Sequence, residues 1–394
     1  MLFQLLISNT SNYPRTGHVA ADWKPIYEKI KQHGLSLEEI VLHDLRDPPD
    51  IQLPRQVDLD NRTDPSRDTL LFSLNQEIPP GQDSSIFVAV DRGKPIICDE
   101  SEPCLEVMWS PRNRVSGIRL MNSRLIVWLN LIPAPESKDR SFYAGASTSV
   151  QRDGKEMLDP FLAELTWIGH DPEKRCMQVD QIQLYDPASE KILGEPIHLF
   201  DQPYQFVSHS IGPVRTTVTI ASIPFGCNYP DPTTNRYIHL TCKLYRAISL
   251  YTEADYLIEK LFIEGISDEG TVINPYFVPR YYAHINLRHD EQIYQYSMSN
   301  WSAVGSPIDP RPGYGFASNV PHESLKYGEH GFLWQLSPCD SAECLHLFMC
   351  SSSDGFDSRI NNNWDEYIYR PLRAAIYEEG QDVKSVKKVT PVGV

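Results

Sequence analysis

The stretch "YRAISLYTEADYLIEKLFIEG", Tyr245 to Gly265, alternates apolar and polar residues on both sides of a short polar interruption. Period two over that length describes a half-buried β-hairpin and no helix. Upstream, Ile238, Leu240, Cys242, Leu244, Ile248 and Leu250 share one face; downstream, Leu257, Leu261 and Ile263 do the same. Thr252-Glu253-Ala254-Asp255 suits a four-residue hairpin loop. If Tyr251 pairs with Tyr256, Leu250 meets Leu257 and Leu244 meets Ile263. Two residues break the pattern: Arg246 and Glu259 fall on the apolar side. The same register makes them diagonal neighbours, within reach of long side chains. They are expected to form a structural ion pair, which fixes register more surely than it adds stability. The opposite face carries Tyr245, Tyr251, Tyr256 and Phe262, with Lys243 across from Glu264, as on a wet concave surface or beneath a second layer.

The same period runs through most of the chain. Strands are expected at Phe3–Ser8, Glu39–His43, Thr69–Leu74 and Ser85–Val90, within residues 1–97. One helix interrupts them. Asp22 can cap it, Pro25 fits its first turn and Gly34 can end it; Trp23, Ile26, Tyr27 and Ile30 make its apolar stripe. Residues 98–394 read as longer strands, among them Gly117–Leu120, Arg124–Leu131, Met177–Tyr185, Val214–Ile223, Tyr237–Tyr251, Tyr256–Glu264, Pro279–Arg288, Gly331–Leu336 and Leu345–Cys350. A second helix signal covers Trp364–Tyr377. The expected fold class is all-β: a small β-sandwich with one short helix over 1–97, then a large multi-sheet sandwich over 98–394.

Composition narrows the partners. A formal net charge of −16 over 394 residues argues against nucleic acid, which needs a basic footprint, and against anionic membranes. Eight scattered cysteines contain no CxxC and no zinc spacing, so neither a metal nor another cofactor is expected. A disulfide among Cys339, Cys344 and Cys350 stays open. The opening "MLFQLLISNTSNYPR" has no basic leader and reads as a first strand, and no apolar run is long enough to span a bilayer. A cytoplasmic setting is the expectation. Asn9-Thr10-Ser11, Asn61-Arg62-Thr63 and Asn300-Trp301-Ser302 match glycan acceptors, which matter only in a secretory setting.

Two stretches resemble known families. "GPVRTTVTI" followed by "LYRAISLYTEADYLIEKLFIEG" resembles the β-sandwich that follows the catalytic domain in α-mannosidases, where a Gly-Pro-x-Arg strand also precedes an I-S-L-Y hairpin. That sandwich is of the galactose-mutarotase-like class, shared with many polysaccharide lyases. "ISNTSNYPRTGHV" with "LPRQVDLDNRTDPSRDTLLFSL" resembles the small sandwich placed before such domains in bacterial lyase-like proteins. The mannosidase nucleophile and zinc ligands have no counterpart in the sequence. The resemblance implies a fold, a galactose-mutarotase-like β-supersandwich, and a sugar-related setting, but not mannosidase activity.

The strand most suggestive of chemistry is "RYYAHINLR". Arg280, Tyr282, His284, Asn286 and Arg288 alternate with Tyr281, Ala283, Ile285 and Leu287. The first set has no aliphatic member, which an ordinary solvated face rarely achieves, although an exposed or ion-paired face also fits. These residue types suit β-elimination of a uronate. Arg280, Asn286 or Arg288 could neutralise the carboxylate, and Tyr282 and His284 could share the acid and base roles. Tyr245 could serve as an aromatic sugar platform, with His239 on the same face as a weaker substrate contact. Asp309, Arg311, Tyr314, His322 and His330, in a Gly/Pro-rich stretch, form a further candidate set. The leading expectation is a carbohydrate lyase or related acid/base enzyme with a carbohydrate or small-molecule ligand. The alternatives are a non-catalytic carbohydrate-binding or scaffold protein, and an isomerase or cyclase for a small metabolite. The pattern leaves the oligomeric state open.

Overall fold

A computed structural model of the chain describes residues 2–48, 51–58, 68–90, 103–132, 144–145, 147–156, 179–186, 191–199, 202–230, 237–267, 278–286, 293–295, 301–304, 313–318, 325–328, 331–336, 342–349 and 372–377. These residues form strands throughout, with one α-helix and one 3₁₀ turn. The chain divides into two units. The first comprises Met1–Glu102, Gly212–Arg215 and Asn361–Val394; the second comprises Pro103–Ile211 and Thr216–Ile360.

The first unit is built on a seven-stranded sheet, ordered Ile40–Asp44, Asp83–Val90, Phe3–Ser8, Leu372–Ile376, Arg15–Asp22, Thr69–Ile78, Arg55–Asp58. Its fourth strand replaces part of the helix expected at Trp364–Tyr377; residues 364–371 lie outside the described residues. Leu372–Ile376 pairs antiparallel with Phe3–Ser8 and parallel with Arg15–Asp22. Backbone partners on both sides outweigh the helical preference of Ala374 and Ala375, and Leu372 and Ala374 join the core.

The helix Trp23–Gln32 forms where expected. Trp23, Ile26 and Ile30 are buried in the core with Leu5, Val19, Phe72 and Val88. Burying each large aliphatic side chain contributes roughly 1.5–3 kcal/mol. Tyr27, the fourth member of the stripe, stays 41% exposed. Asp22 occupies the N-cap position, but its side chain makes no capping hydrogen bond. Gly34 takes a left-handed φ of 70° just past the last turn and its N–H closes on the Lys31 carbonyl, as a terminating glycine does. The Asn9 side chain, read above as a glycan acceptor, is buried. Its Nδ2 donates to the carbonyls of Tyr13, Ile78 and Pro79, and its Oδ1 accepts from Ser11 N–H and Oγ–H. The nitrogen a glycan would need is therefore spent on the fold. Asn61 and Asn300 lie outside the described residues.

The Gly-Pro-x-Arg segment, Gly212–Arg215, lies against the edge strand Arg55–Asp58. Gln56 acts as a backbone surrogate there. Its Oε1 accepts from Val214 N–H at 2.9 Å and Arg215 N–H at 2.7 Å, and its Nε2 donates to the Arg215 carbonyl at 3.0 Å and to Asp58. Asp58 also pairs with the Arg215 guanidinium. A Cβ at Gly212 would lie 2.5 Å from Gln56 Oε1, so a larger residue there would push the Gln56 amide out of these bonds. Nearby, His18 is bonded to Ser73 at 2.9 Å. Burial, followed by the Arg215 charge, holds its imidazole down to about 3.

Among the described residues the second unit holds three sheets. One has five strands, Lys155–Glu156, Ser147–Arg152, Leu125–Asn130, Val115–Met121 and Cys104–Trp109 in spatial order. A second runs Lys191–His198, Val179–Asp186, Val278–Asn286, Gly331–Leu336, Leu325–Gly328. The third has nine strands and contains the long hairpin Tyr237–Tyr251 and Tyr256–Ser267. The hairpin has the expected register: Leu250 faces Leu257, Leu244 faces Ile263 and Lys243 faces Glu264. Its loop is Thr252–Asp255, with Glu253 at a left-handed φ of 57°. Asn122 Nδ2 donates to the carbonyls of Tyr251 and Ala254, and Asp255 pairs with Arg152 at 2.7 Å. Tyr251 and Tyr256 are buried at this end of the hairpin, so only its middle keeps the exposed aromatic face. Cys344 is buried; Cys339 and Cys350, the other cysteines of the open disulfide question, lie outside the described residues. Among the described residues no helix is long and apolar enough to cross a membrane.

Candidate functional site

The hairpin's two misfits form a buried electrostatic cluster. Arg246 and Glu259 are diagonal neighbours, since Arg246 faces Leu261 and Ile248 faces Glu259. Arg246 Nε donates to Glu259 Oε1 at 2.5 Å, and its Nη1 donates to the Gly145 carbonyl. The other carboxylate oxygen, Oε2, lies 3.0 Å from His346 Nε2. Arg246, Glu259 and His346 are only 1–2% exposed. Burial raises the Glu259 pKa, but Arg246, together with the His346 hydrogen bond and charge, outweighs it and holds the carboxyl down to about 2. Gly145 adopts φ 77°, and a Cβ there would meet the Tyr204 ring at 2.7 Å.

Sequence reasoning found the ion pair and missed His346 and Gly145. His346 had a signal: it alternates with Glu343, Leu345 and Leu347 in the strand Ala342–Met349 and pairs with Leu257, so it shares the Glu259 side. Gly145 had none, because it reaches Arg246 from a distant part of the chain. With every charged end committed and buried, this cluster is structural.

On the hairpin's opposite face, Tyr245 stacks on Phe262, with ring centroids 4.6 Å apart and planes 4° from parallel. Lys243 Nζ lies 5.1 Å from the Tyr245 centroid and donates to Gln205 Oε1 at 3.1 Å. The Tyr245 hydroxyl donates to Glu264 at 3.0 Å. Burial, that hydrogen bond and the Glu264 charge all push the phenol pKa up. Tyr245 is thus a neutral, half-buried ring, suited to stacking and a poor base. His239 lies further along the same strand, opposite Asn228.

The acid/base candidates belong to a different sheet. Val278–Asn286 is the central strand of the second five-stranded sheet. Arg280 faces Gln183; Tyr282 faces Gln181 on one side and Gln335 on the other; His284 faces Val179 and Leu333; Asn286 faces Gly331. The intervening positions face one another as Ile182, Tyr281 and Leu336, as Asp180, Ala283 and Trp334, and as Ile285 and Phe332. Of the loop set, Tyr314 lies in the strand Gly313–Ser318, opposite Val304 and Phe348. Arg288, Asp309, Arg311, His322 and His330 lie outside the described residues. Among the described residues, no group of His, Cys, Asp and Glu is placed to hold a metal ion.

No protein-family model matches the sequence, and no curated protein matches it. Solved structures do. An α-mannosidase from Enterococcus faecalis V583 superposes with a TM-score of 0.52 at 11% identity, over 95% of this chain and 46% of that one. A protein in glycosyl hydrolase family 38 from Enterococcus faecalis gives 0.55 at 10% identity, over 97% and 48%. The chain therefore spans about half the length of each. At these identities the likeness is one of fold, an all-β architecture of several sheets.

Proposed function

We propose that the chain is a carbohydrate-active protein whose second unit holds a sugar over the strand Val278–Asn286. In this reading Tyr282 and His284 act as acid and base on a uronate, and Arg280, Asn286 or Arg288 neutralises its carboxylate. The observation that carries it is the row pattern of the sheet. The rows through Arg280 and Tyr282 continue in Gln183, Gln181 and Gln335, and the row through His284 in Val179 and Leu333, while the interleaved rows continue in Ile182 and Leu336, in Trp334 with Asp180, and in Phe332. A sheet whose alternate rows are mostly apolar tends to pack that side on a core and leave the other for water or a ligand.

The chemistry follows from the residue types. In β-elimination the C–H bond beside the carboxylate breaks and its electron pair becomes a new C=C bond. The C–O bond to the leaving sugar breaks, and that oxygen takes up a proton. A cation or amide donors stabilise the charge that builds on the carboxylate. Tyrosine and histidine exchange the two protons. Tyr245, with His239 on its strand, is a separate sugar contact in this proposal.

The test is turnover across a panel of uronate polymers, followed at the ultraviolet band of the unsaturated product, with epimerisation monitored in parallel. Tyr282→Phe keeps the ring and is expected to lower turnover by roughly 10²–10⁴-fold. His284→Gln is expected to lower it too and to reshape the pH profile between about pH 5 and 8. Wild-type rates in both variants overturn the assignment and move the search to the Asp309–His330 stretch. A second reading, a non-catalytic sugar-binding or scaffold protein, is favoured by the match to only about half of each solved structure. Saturable sugar binding without turnover by the wild-type chain decides for it.

A further inference from the structure

We propose that the ligand is a carboxylated oligosaccharide laid across the strands of the second five-stranded sheet, on a track marked by His198, Gln181, Tyr282 and Gln335. This deepens the sugar site proposed above and rests on it. The four residues occupy one unbroken row: His198 faces Gln181, Gln181 faces Tyr282, and Tyr282 faces Gln335. Each belongs to a type that hydrogen-bonds, and glutamine and neutral histidine offer both donors and acceptors, as sugar hydroxyls require. The next row runs Val179, His284, Leu333, Lys326, so aliphatic residues flank His284 on both sides.

The length of the row sets the size of the ligand. Four strands are three inter-strand steps of roughly 4.8 Å, which puts the outer positions about 14 Å apart. One sugar ring does not cover that distance; a short chain does. Charge sets its class. Arg280 lies one row to one side of the track and Lys326 one row to the other. No residue paired in these three rows is Asp or Glu, in a chain with 52 acidic residues against 36 basic ones; Glu195 sits in the bulge of Lys191–His198 opposite Gln183. Asp180 falls in an interleaved row instead. A ligand with carboxylates along its length thus meets a cation on each side of the track.

The experiment is calorimetric titration of the full chain with ladders of oligogalacturonates, oligomannuronates and oligoglucuronates of one to six units, alongside the methyl-esterified ladders. In at least one ladder, affinity is expected to rise tenfold or more from one unit to four and then level off, with the esters at least tenfold weaker. His198→Ala and Gln335→Ala, at the two ends of the row, are each expected to lower four-unit affinity by about 2–10-fold, the yield of one hydrogen bond. One-unit affinity should not change. Should either alanine variant fail to fold, His198→Glu and Gln335→Glu add like charge at similar size and give a larger loss. Affinity independent of length, no binding in any ladder, or wild-type four-unit affinity in the folded variants overturns the track. A flat length profile with turnover still dependent on Tyr282 sinks the track and keeps the acid/base reading. A length profile with wild-type turnover in Tyr282→Phe does the reverse.

Discussion

Single residues carry most of what makes this fold specific. Arg246 is fully buried and committed to Glu259 and the Gly145 carbonyl. Arg246→Met leaves the Glu259 carboxylate without its guanidinium in a dry interior. That change is expected to cost about 3–5 kcal/mol, read as a fall in the urea midpoint. Adding Glu259→Leu should recover much of the loss, because an apolar pair costs less there than a lone charge. Two depressed pKa values also make stability pH-dependent. His18 titrates near 6.5 when unfolded and near 3 in the fold, so its contribution is complete above pH 6.5 and drains away as the pH falls toward 3. Glu259 acts in the same direction at lower pH, between 4.5 and about 2. The midpoint should therefore decline from pH 6.5 downward. His18→Gln should flatten the decline between pH 6.5 and 4.5 and, below 4.5, reduce it to the part that Glu259 supplies. An unchanged slope in that upper window would assign it to another group.

At the scale of elements, the Gly-Pro-x-Arg segment is held as a strand would be, but by one side chain. Gln56 supplies the acceptor and donor that a neighbouring backbone would have offered to Val214 and Arg215. Gln56→Ala leaves the buried Val214 N–H without this acceptor, at a cost of about 1–3 kcal/mol. Gly212→Ala should cost a similar amount by driving Gln56 out of place, since the new Cβ would lie 2.5 Å from its oxygen. The two changes share one mechanism. Thermal denaturation of the double variant should show far less than the sum of the two single losses, and full additivity would disconnect Gly212 from Gln56.

At the scale of the molecule, the first unit is closed by a strand from the far end of the chain. Leu372–Ile376 lies between Phe3–Ser8 and Arg15–Asp22, so the sheet cannot form its central ladder until those residues have been made. A chain ending before residue 372 is expected to lose the cooperative unfolding of the first unit, seen as early proteolytic loss of residues 1–90. A truncated chain as protease-resistant there as the full one would show that the strand is dispensable.

Period-two alternation was legible in the sequence because a strand with one wet side writes its burial into every second residue. From Tyr237 to Ser267 that pattern led to the strands, the four-residue loop, the register and the Arg246–Glu259 pair, all within one contiguous stretch. It also marked Val278–Asn286 as a strand with one polar set of positions. Only the tertiary structure decided what arrives from far away. Gly145 and His346 complete the Arg246–Glu259 cluster across 101 and 87 residues of chain. Gln56 reaches Val214 across 158, and Gln181, His198 and Gln335 fall into line with Tyr282. No local period encodes such meetings, since they depend on which strands become neighbours. The strand at Leu372–Ile376, found where the end of the helix expected at Trp364–Tyr377 would lie, has the same cause. The preference of a few alanines is worth tenths of a kcal/mol, and two waiting strand edges outweigh it.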